Sequence, residues 1–358
     1  MSSSVYASAL GRLLVHFPEF LPKESYPALV GAADINEIVK TLEATSYGPE
    51  IIANAASYQG APLLEIAINR TTVRRNRVAL ESAPFAGKPI IGAYLRRWDV
   101  ENIGLILSAK AQGRALAETE PFLVSSREIP AGLFAGSMTI DDFRVLLQQP
   151  TVEAVAQALV RFGYGTTLLG LLDEYSRTKD IFPLLQALDR QYYQTALASL
   201  QYFQGDEWVV RAFLRSEIDV RNTLLFLKAK DAELPMEAAV GRFIEGGDLA
   251  RSVFEDAYQG RSVPDMVATL SNRFPTLVEG TTLYTQSRTL TGYEVALSRD
   301  RAVRELKRLR TYPLSIAVAF SYLFLAELER SDLRRIIYGK LYGLAPQALE
   351  PLLVVPRL

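Results

Sequence analysis

The segments DVENIGLILSAK (Asp99 to Lys110), DVRNTLLFLKAK (Asp219 to Lys230) and ERSDLRRIIYGK (Glu329 to Lys340) are three versions of one pattern. Each opens on an acid and closes on a lysine 11 positions later. Asn102, Asn222 and Asp332 share the fourth place, and Ala109, Ala229 and Gly339 the small place before the lysine. Apolar residues recur between them at helical spacing, as in Ile103, Ile106 and Leu107 or Leu224, Phe226 and Leu227. Eleven residues of α-helix advance about three turns and return the lysine to within about 20° of the acid, so acid, amide and lysine share one face.

The match extends outward at nearly fixed offsets, which unrelated amphipathic helices would not do. AINR at 67–70 precedes Asp99, and ALDR at 187–190 precedes Asp219, with 29 residues from arginine to acid in both; ALSR at 296–299 precedes Glu329 by one more. Upstream, Tyr26, Leu29, Ile35, Ile38, Leu42, Tyr47 and Gly48 match Phe143, Leu146, Val152, Val155, Leu159, Tyr164 and Gly165 at an offset of 117. A third copy follows at an offset of 111, in Phe254, Val263, Met266 and Leu270. These offsets predict an all-α chain of three homologous multi-helix units with pseudo-threefold symmetry: a lead-in at 1–19, then units at 20–136, 137–247 and 248–358. Glycines and prolines cluster at breaks such as Pro84, Gly87 and Pro89, where helices end.

Composition narrows the function. The chain has 358 residues, a net charge of −1, no cysteine and one histidine. A balanced charge argues against a nucleic-acid partner, and the missing cysteines remove disulfides, thiolate metal sites and a cysteine nucleophile. A reducing, cytosolic compartment is expected, with no secretory signal in the first residues. His16 sits among Leu13, Leu14, Val15 and Phe17 and reads as a structural or surface histidine rather than a base. No GxxxxGK[ST] occurs, and GYGTTLLG at 163–170 breaks the GxGxxG pattern at Leu168. Asp141-Asp142 reads as a solvated helix start, with no DDxxD spacing. No catalytic residue, cofactor, metal or small-molecule substrate is expected. LSIAVAFSYLFLA, Leu314 to Ala326, has 13 residues where a membrane span needs about 20, so a buried core helix is expected there.

The shared face of Asp99, Asn102, Lys110, Asp219, Asn222, Lys230, Glu329, Asp332 and Lys340 admits two readings. The acid could cap or begin each helix and the lysine reach solvent or the carboxyl-terminal dipole, which stabilises each unit by a few tenths to about 1 kcal/mol. Alternatively the three faces line a common central cavity that receives a partner helix, and alanine at Asn102, Asn222 and Asp332 then weakens the complex without unfolding the chain.

WDVENIGLILSAKAQG at 98–113, EIDVRNTLLFLKAK at 217–230 and PLSIAVAFSYLFLAELERSDLRRIIYGKLYGLAPQ at 313–347 resemble the C subunit of archaeal and bacterial V/A-type ATP synthases, whose eukaryotic relative is the d subunit of the vacuolar ATPase. The resemblance runs from LPKESYPALV at 21–30 to the carboxyl terminus. It implies a funnel-shaped, non-catalytic rotor piece on the cytoplasmic face of the membrane, peripheral and present in one copy, which joins the central shaft of the D and F subunits to the proteolipid ring. Moving one charge across 100 mV is worth about 2.3 kcal/mol, so such a joint must be rigid and close-packed. The competing readings are an all-helical scaffold or adaptor of another assembly and an all-α enzyme with a hidden carboxylate site. A solenoid adaptor would show repeats of roughly 30 to 47 residues, shorter than the period here.

Overall fold

The computed structural model describes residues 3–113, 136–200 and 207–357, and every regular element among them is helical. Among the described residues the six longest helices are α1 (Gly60–Ser82), α2 (Arg97–Ala111), α3 (Phe182–Ser199), α4 (Glu207–Asp231), α5 (Thr291–Arg310) and α6 (Ala317–Leu341). They come in successive pairs, each preceded by short helices in the same order: Ser25–Gly31, Ile35–Glu43 and Gly48–Asn54; then Ile140–Gln148, Val152–Ala158 and Gly165–Leu169; then Arg251–Tyr258, Val263–Leu270 and the 3-10 turn Pro275–Glu279. The second members of the three pairs carry the lysine-ended pattern.

Local sequence sets these boundaries. The helices beginning at Ile35, Val152 and Val263 are preceded by Asp34, Thr151 and Ser262, whose side chains accept from the amides of Glu37, Ala154 and Asp265 at 2.9, 3.2 and 3.3 Å. Each satisfies an amide that helix geometry leaves without a partner. Asp142 lies in a capping box with Thr139, so the Asp141-Asp142 pair is a helix start, as expected. The carboxyl ends of α2, α4 and α6 also agree: Gly113, Glu233 and Gly343 take positive φ, and their amides reach the carbonyls of Lys110, Lys230 and Lys340. Glycine adopts that left-handed cap without steric cost; Glu233 does so against its own Cβ.

The contacts divide the chain into two compact units. One comprises Val39–Tyr202, the other Met1–Ile38 with Phe203–Leu358. In the first, α3 is tied to the helix Lys88–Leu95 by the Tyr192 hydroxyl, which donates to the Tyr94 carbonyl at 3.0 Å, over a core that includes Leu64, Ile91, Ile106 and Leu188. In the second, Phe226 of α4 packs on Phe254 at 5.4 Å and meets Tyr258 edge-on, with Met266 and Leu270 completing the layer. Removing a fully buried ring such as Phe226 costs about 3 to 5 kcal/mol. The apolar stretch expected to form a core helix does so from Ala317 onward, whereas Leu314 lies outside it and is 42% exposed. Among the described residues no helix is long and apolar enough to cross a membrane.

Candidate functional site

The opening acids of the repeated pattern are buried, and they do not start their own helices except in the first copy. Asp99 lies in the first turn of α2, but Asp219 and Glu329 lie in the middle of α4 and α6. That corrects the helix-start reading: each acid instead holds backbone amides of a segment that precedes a short helix. Asp99 accepts from the Ser137 amide at 2.7 Å and the Met138 amide at 3.2 Å, and from the hydroxyls of Ser137 and Tyr164. Asp219 accepts from the amides of Asp248 and Leu249, both at 3.1 Å. Glu329 accepts from the Leu21 amide at 2.7 Å. Leu21, Met138 and Leu249 are themselves separated by the repeat offsets of 117 and 111. The first two acids reach forward to the beginning of the next repeat, and the third returns to the beginning of the first.

The fourth-place residues explain their own identities. Asn222 exchanges two bonds with one residue: its Nδ2 donates to the Ile244 carbonyl at 2.8 Å and its Oδ1 accepts the Ile244 amide at 2.9 Å. Asp332 faces two donors, the amides of Val354 and Val355 at 2.8 and 2.7 Å, and its other oxygen takes Arg335 at 2.8 Å. A site presenting one donor and one acceptor suits an amide; a site presenting only donors suits a carboxylate. Asn102 is likewise buried. Two of the three lysines cap other helices. Lys110 Nζ donates to the Leu147 carbonyl at 2.7 Å, and Lys230 Nζ to the Tyr258 carbonyl at 3.0 Å, each near the carboxyl end of its helix where carbonyls lack intrahelical partners. Lys340 is half-buried at the matching place.

This inward arrangement puts a demand on neighbouring glycines. A Cβ on Gly136 would collide with the Asp99 carboxylate, and one on Gly247 with that of Asp219. Gly247→Ala therefore forces Asp219 off the two amides it holds, and is expected to lower stability by about 2 to 4 kcal/mol, the cost of charged hydrogen bonds broken in a buried place. Urea unfolding of the variant checks this, and unchanged stability counts against the carboxylate clamp.

Burial raises the pKa of Asp99, Asp219 and Asp332 above the usual carboxylate range, and the bonds to amides only partly offset it. Asp219 is pushed up to about 6, with the Asp248 carboxylate adding to the rise and Arg215 opposing it. Because the folded state holds this proton more tightly than the unfolded chain, Asp219 favours folding as pH falls from about 6 towards 4 and disfavours it above. Comparison of the protein with Asp219→Asn across that window should show a stability difference that moves by on the order of 2 to 3 kcal/mol. A pH-independent difference would contradict the raised value.

One cluster has no counterpart in the sequence reading. Arg301 of α5 donates to Glu217 of α4 at 2.8 Å, and its guanidinium lies 4.5 Å from the Phe213 ring centre and 4.6 Å from that of Phe324. The pair is nearly enclosed, with side chains 9% and 5% exposed. It borders a cavity of about 110 Å³ whose walls include Ser298, Glu327, Ser331 and Arg335. The sequence signals only half of it: Glu217 has Phe213, Leu214 and Val220 three and four residues away, whereas Arg301 has Ser298, Arg304 and Glu305 beside Leu297. His16, by contrast, pairs with Glu19 at 2.7 Å on a part-exposed turn. Among the described residues no three His, Cys, Asp or Glu side chains come together as a metal site.

Known proteins match along almost the full length. Residues 10–351 match the family of the ATP synthase (C/AC39) subunit. The C subunit of the A-type ATP synthase of Thermoplasma acidophilum is 34% identical over 351 residues, covering 98% of each chain, and that of Thermoplasma volcanium is 33% identical with the same coverage. The corresponding protein of Methanocaldococcus jannaschii is 23% identical over 91% of this chain and 80% of its own. With a clamp of acids, amides and lysines holding its repeats and a family match over nearly all its residues, the chain belongs to the ATP synthase (C/AC39) subunit family.

Proposed function

We propose that this protein is the central-stalk component of an A-type ATP synthase, joining a shaft of the D and F subunits to the proteolipid ring so that ion flow and ATP turnover are linked by rotation. It catalyses nothing and sits peripherally on the cytoplasmic side of the membrane, one copy per complex. The observation that carries this reading is the end-to-end similarity to chains named as the C subunit of A-type ATP synthases. The carboxylate clamps support it mechanically. A coupling under torque must not shear between its repeats, and Asp99, Asp219 and Glu329 each fasten one repeat to the start of another by buried, charge-assisted bonds. The return of Glu329 to Leu21 favours three units closed about a pseudo-threefold axis, a funnel with one mouth for the shaft. In such a body the nine pattern residues bind partners indirectly, by holding the surfaces that do.

The test is reconstitution. Membranes carrying the complex should lose ATP-driven ion pumping, and keep ATP hydrolysis by the detached catalytic head, when this protein is omitted; adding it back should restore coupling and co-purification with D, F and the ring. Pumping that persists without it would overturn the proposal.

A further inference from the structure

The carboxyl end of α5 carries a surface that the clamp does not use. Val303, Leu306, Lys307, Arg310 and Thr311 line an open groove of about 410 Å³. Beside it Trp208, in the first turn of α4, packs edge-on against Tyr312 at 5.2 Å, and Leu314 follows in the exposed turn. Trp208 is 49% exposed and Val303 55%, although the other tryptophan, Trp98, is 4% exposed. Arg304 and Arg308 are engaged by Asp300 and Glu305, whereas Lys307 and Arg310 are exposed on the groove wall. Cations at a helix end complement its dipole. That accounts for the charge but not for an indole, a phenol, a valine and a leucine left in water around it.

We propose that this groove and its rim bind anionic lipid headgroups, with Lys307 and Arg310 on the phosphates and Trp208, Tyr312 and Leu314 at the depth of the headgroups. Charge and shape favour a lipid surface. Lysine and arginine beside a membrane each add attraction to anionic lipid, and tryptophan and tyrosine concentrate at the membrane–water boundary because one end of each ring system is apolar and the other polar. The chain as a whole carries a net charge of −1, so attraction to an anionic surface must come from a local patch such as this one. The inference needs neither shaft nor ring, so it stands or falls separately from the coupling role.

The test uses the whole chain with vesicles of phosphatidylglycerol and phosphatidylcholine in equal parts. Trp98→Phe leaves Trp208 as the single indole, and its emission should shift to the blue on mixing. Co-sedimentation with the vesicles should weaken as ionic strength rises from about 0.05 to about 0.5 M. It should fall about 25-fold in Lys307→Gln/Arg310→Gln, since each cation near the surface contributes about fivefold. If Trp98→Phe fails to fold, co-sedimentation of the native chain against the double variant carries the test alone. No binding, equal binding to pure phosphatidylcholine, or undiminished binding by the double variant overturns the proposal. So does a response of Trp208 to a poly-glutamate peptide but not to vesicles, which would assign the patch to an acidic protein partner.

Discussion

Arg301→Ala lowers the stability of the unit built from Met1–Ile38 and Phe203–Leu358 by about 3 kcal/mol or more, because it removes the guanidinium that meets the buried Glu217 carboxylate at 2.8 Å. Arg221 approaches Glu217 only at 3.9 Å and from a part-exposed position, so it recovers a minor share. The loss has a second component. The guanidinium lies against both Phe213 and Phe324, which meet edge-on at 5.0 Å, so truncation also opens a gap between α4, α5 and α6. Arg301→Lys keeps the charge but not the planar stacking, and is expected to fall between the two. Replacing both partners, with Glu217→Gln and Arg301→Met, should recover most of the stability, since a pair of similar volume without formal charge avoids the desolvation of two ions. Urea unfolding of the four proteins, followed by circular dichroism, reads the series. A double variant as unstable as Arg301→Ala would show that packing rather than charge dominates.

The second large effect is expected from exchanging the fourth-place residues. Asp332→Asn places an amide nitrogen either against the Val354 and Val355 amides or against the Arg335 guanidinium, and in both orientations a donor is left facing a donor in a site where Val354 is fully enclosed. Asn222→Asp places a carboxylate oxygen against the Ile244 carbonyl. Each change converts a satisfied buried bond into a facing pair of like groups, at an expected cost of about 2 to 4 kcal/mol. Asp332→Ala should go further locally, releasing the carboxyl-terminal segment that the carboxylate holds. Hydrogen exchange at Val354 and Val355 should then rise far more than exchange in α4. This differs from the sequence-based expectation that alanine at these positions spares the fold, and the reason is burial: the side chains face their own backbone. Equal protection of Val354 in the native chain and in Asp332→Ala would refute the assignment.

Much of the fold was legible because its determinants are local and repeated. Helical periodicity marked α2, α4 and α6, and the offsets of 117 and 111 that join Tyr26 to Phe143 and Phe143 to Phe254 recur in the observed order of short helices. The capping residues Asp34, Thr151 and Ser262 follow the same offsets and could have been added from sequence, since each is a strong amide acceptor just before an apolar helical run. The Glu217–Arg301 pair was not legible. Its members are 84 residues apart, and an arginine on a helix gives no sign of whether two phenylalanines will enclose it.

The amino-acid order by itself determined the helical class and the family, because a spacing of three and four residues and a pattern of residues recurring at fixed offsets need no knowledge of distant contacts. Tertiary structure alone decided what the repeated residues do. Whether a carboxylate meets water, a partner or the amides of Leu21, Met138 and Leu249 depends on which backbone the packed helices bring beside it, and that is fixed by contacts between distant segments rather than by the local pattern.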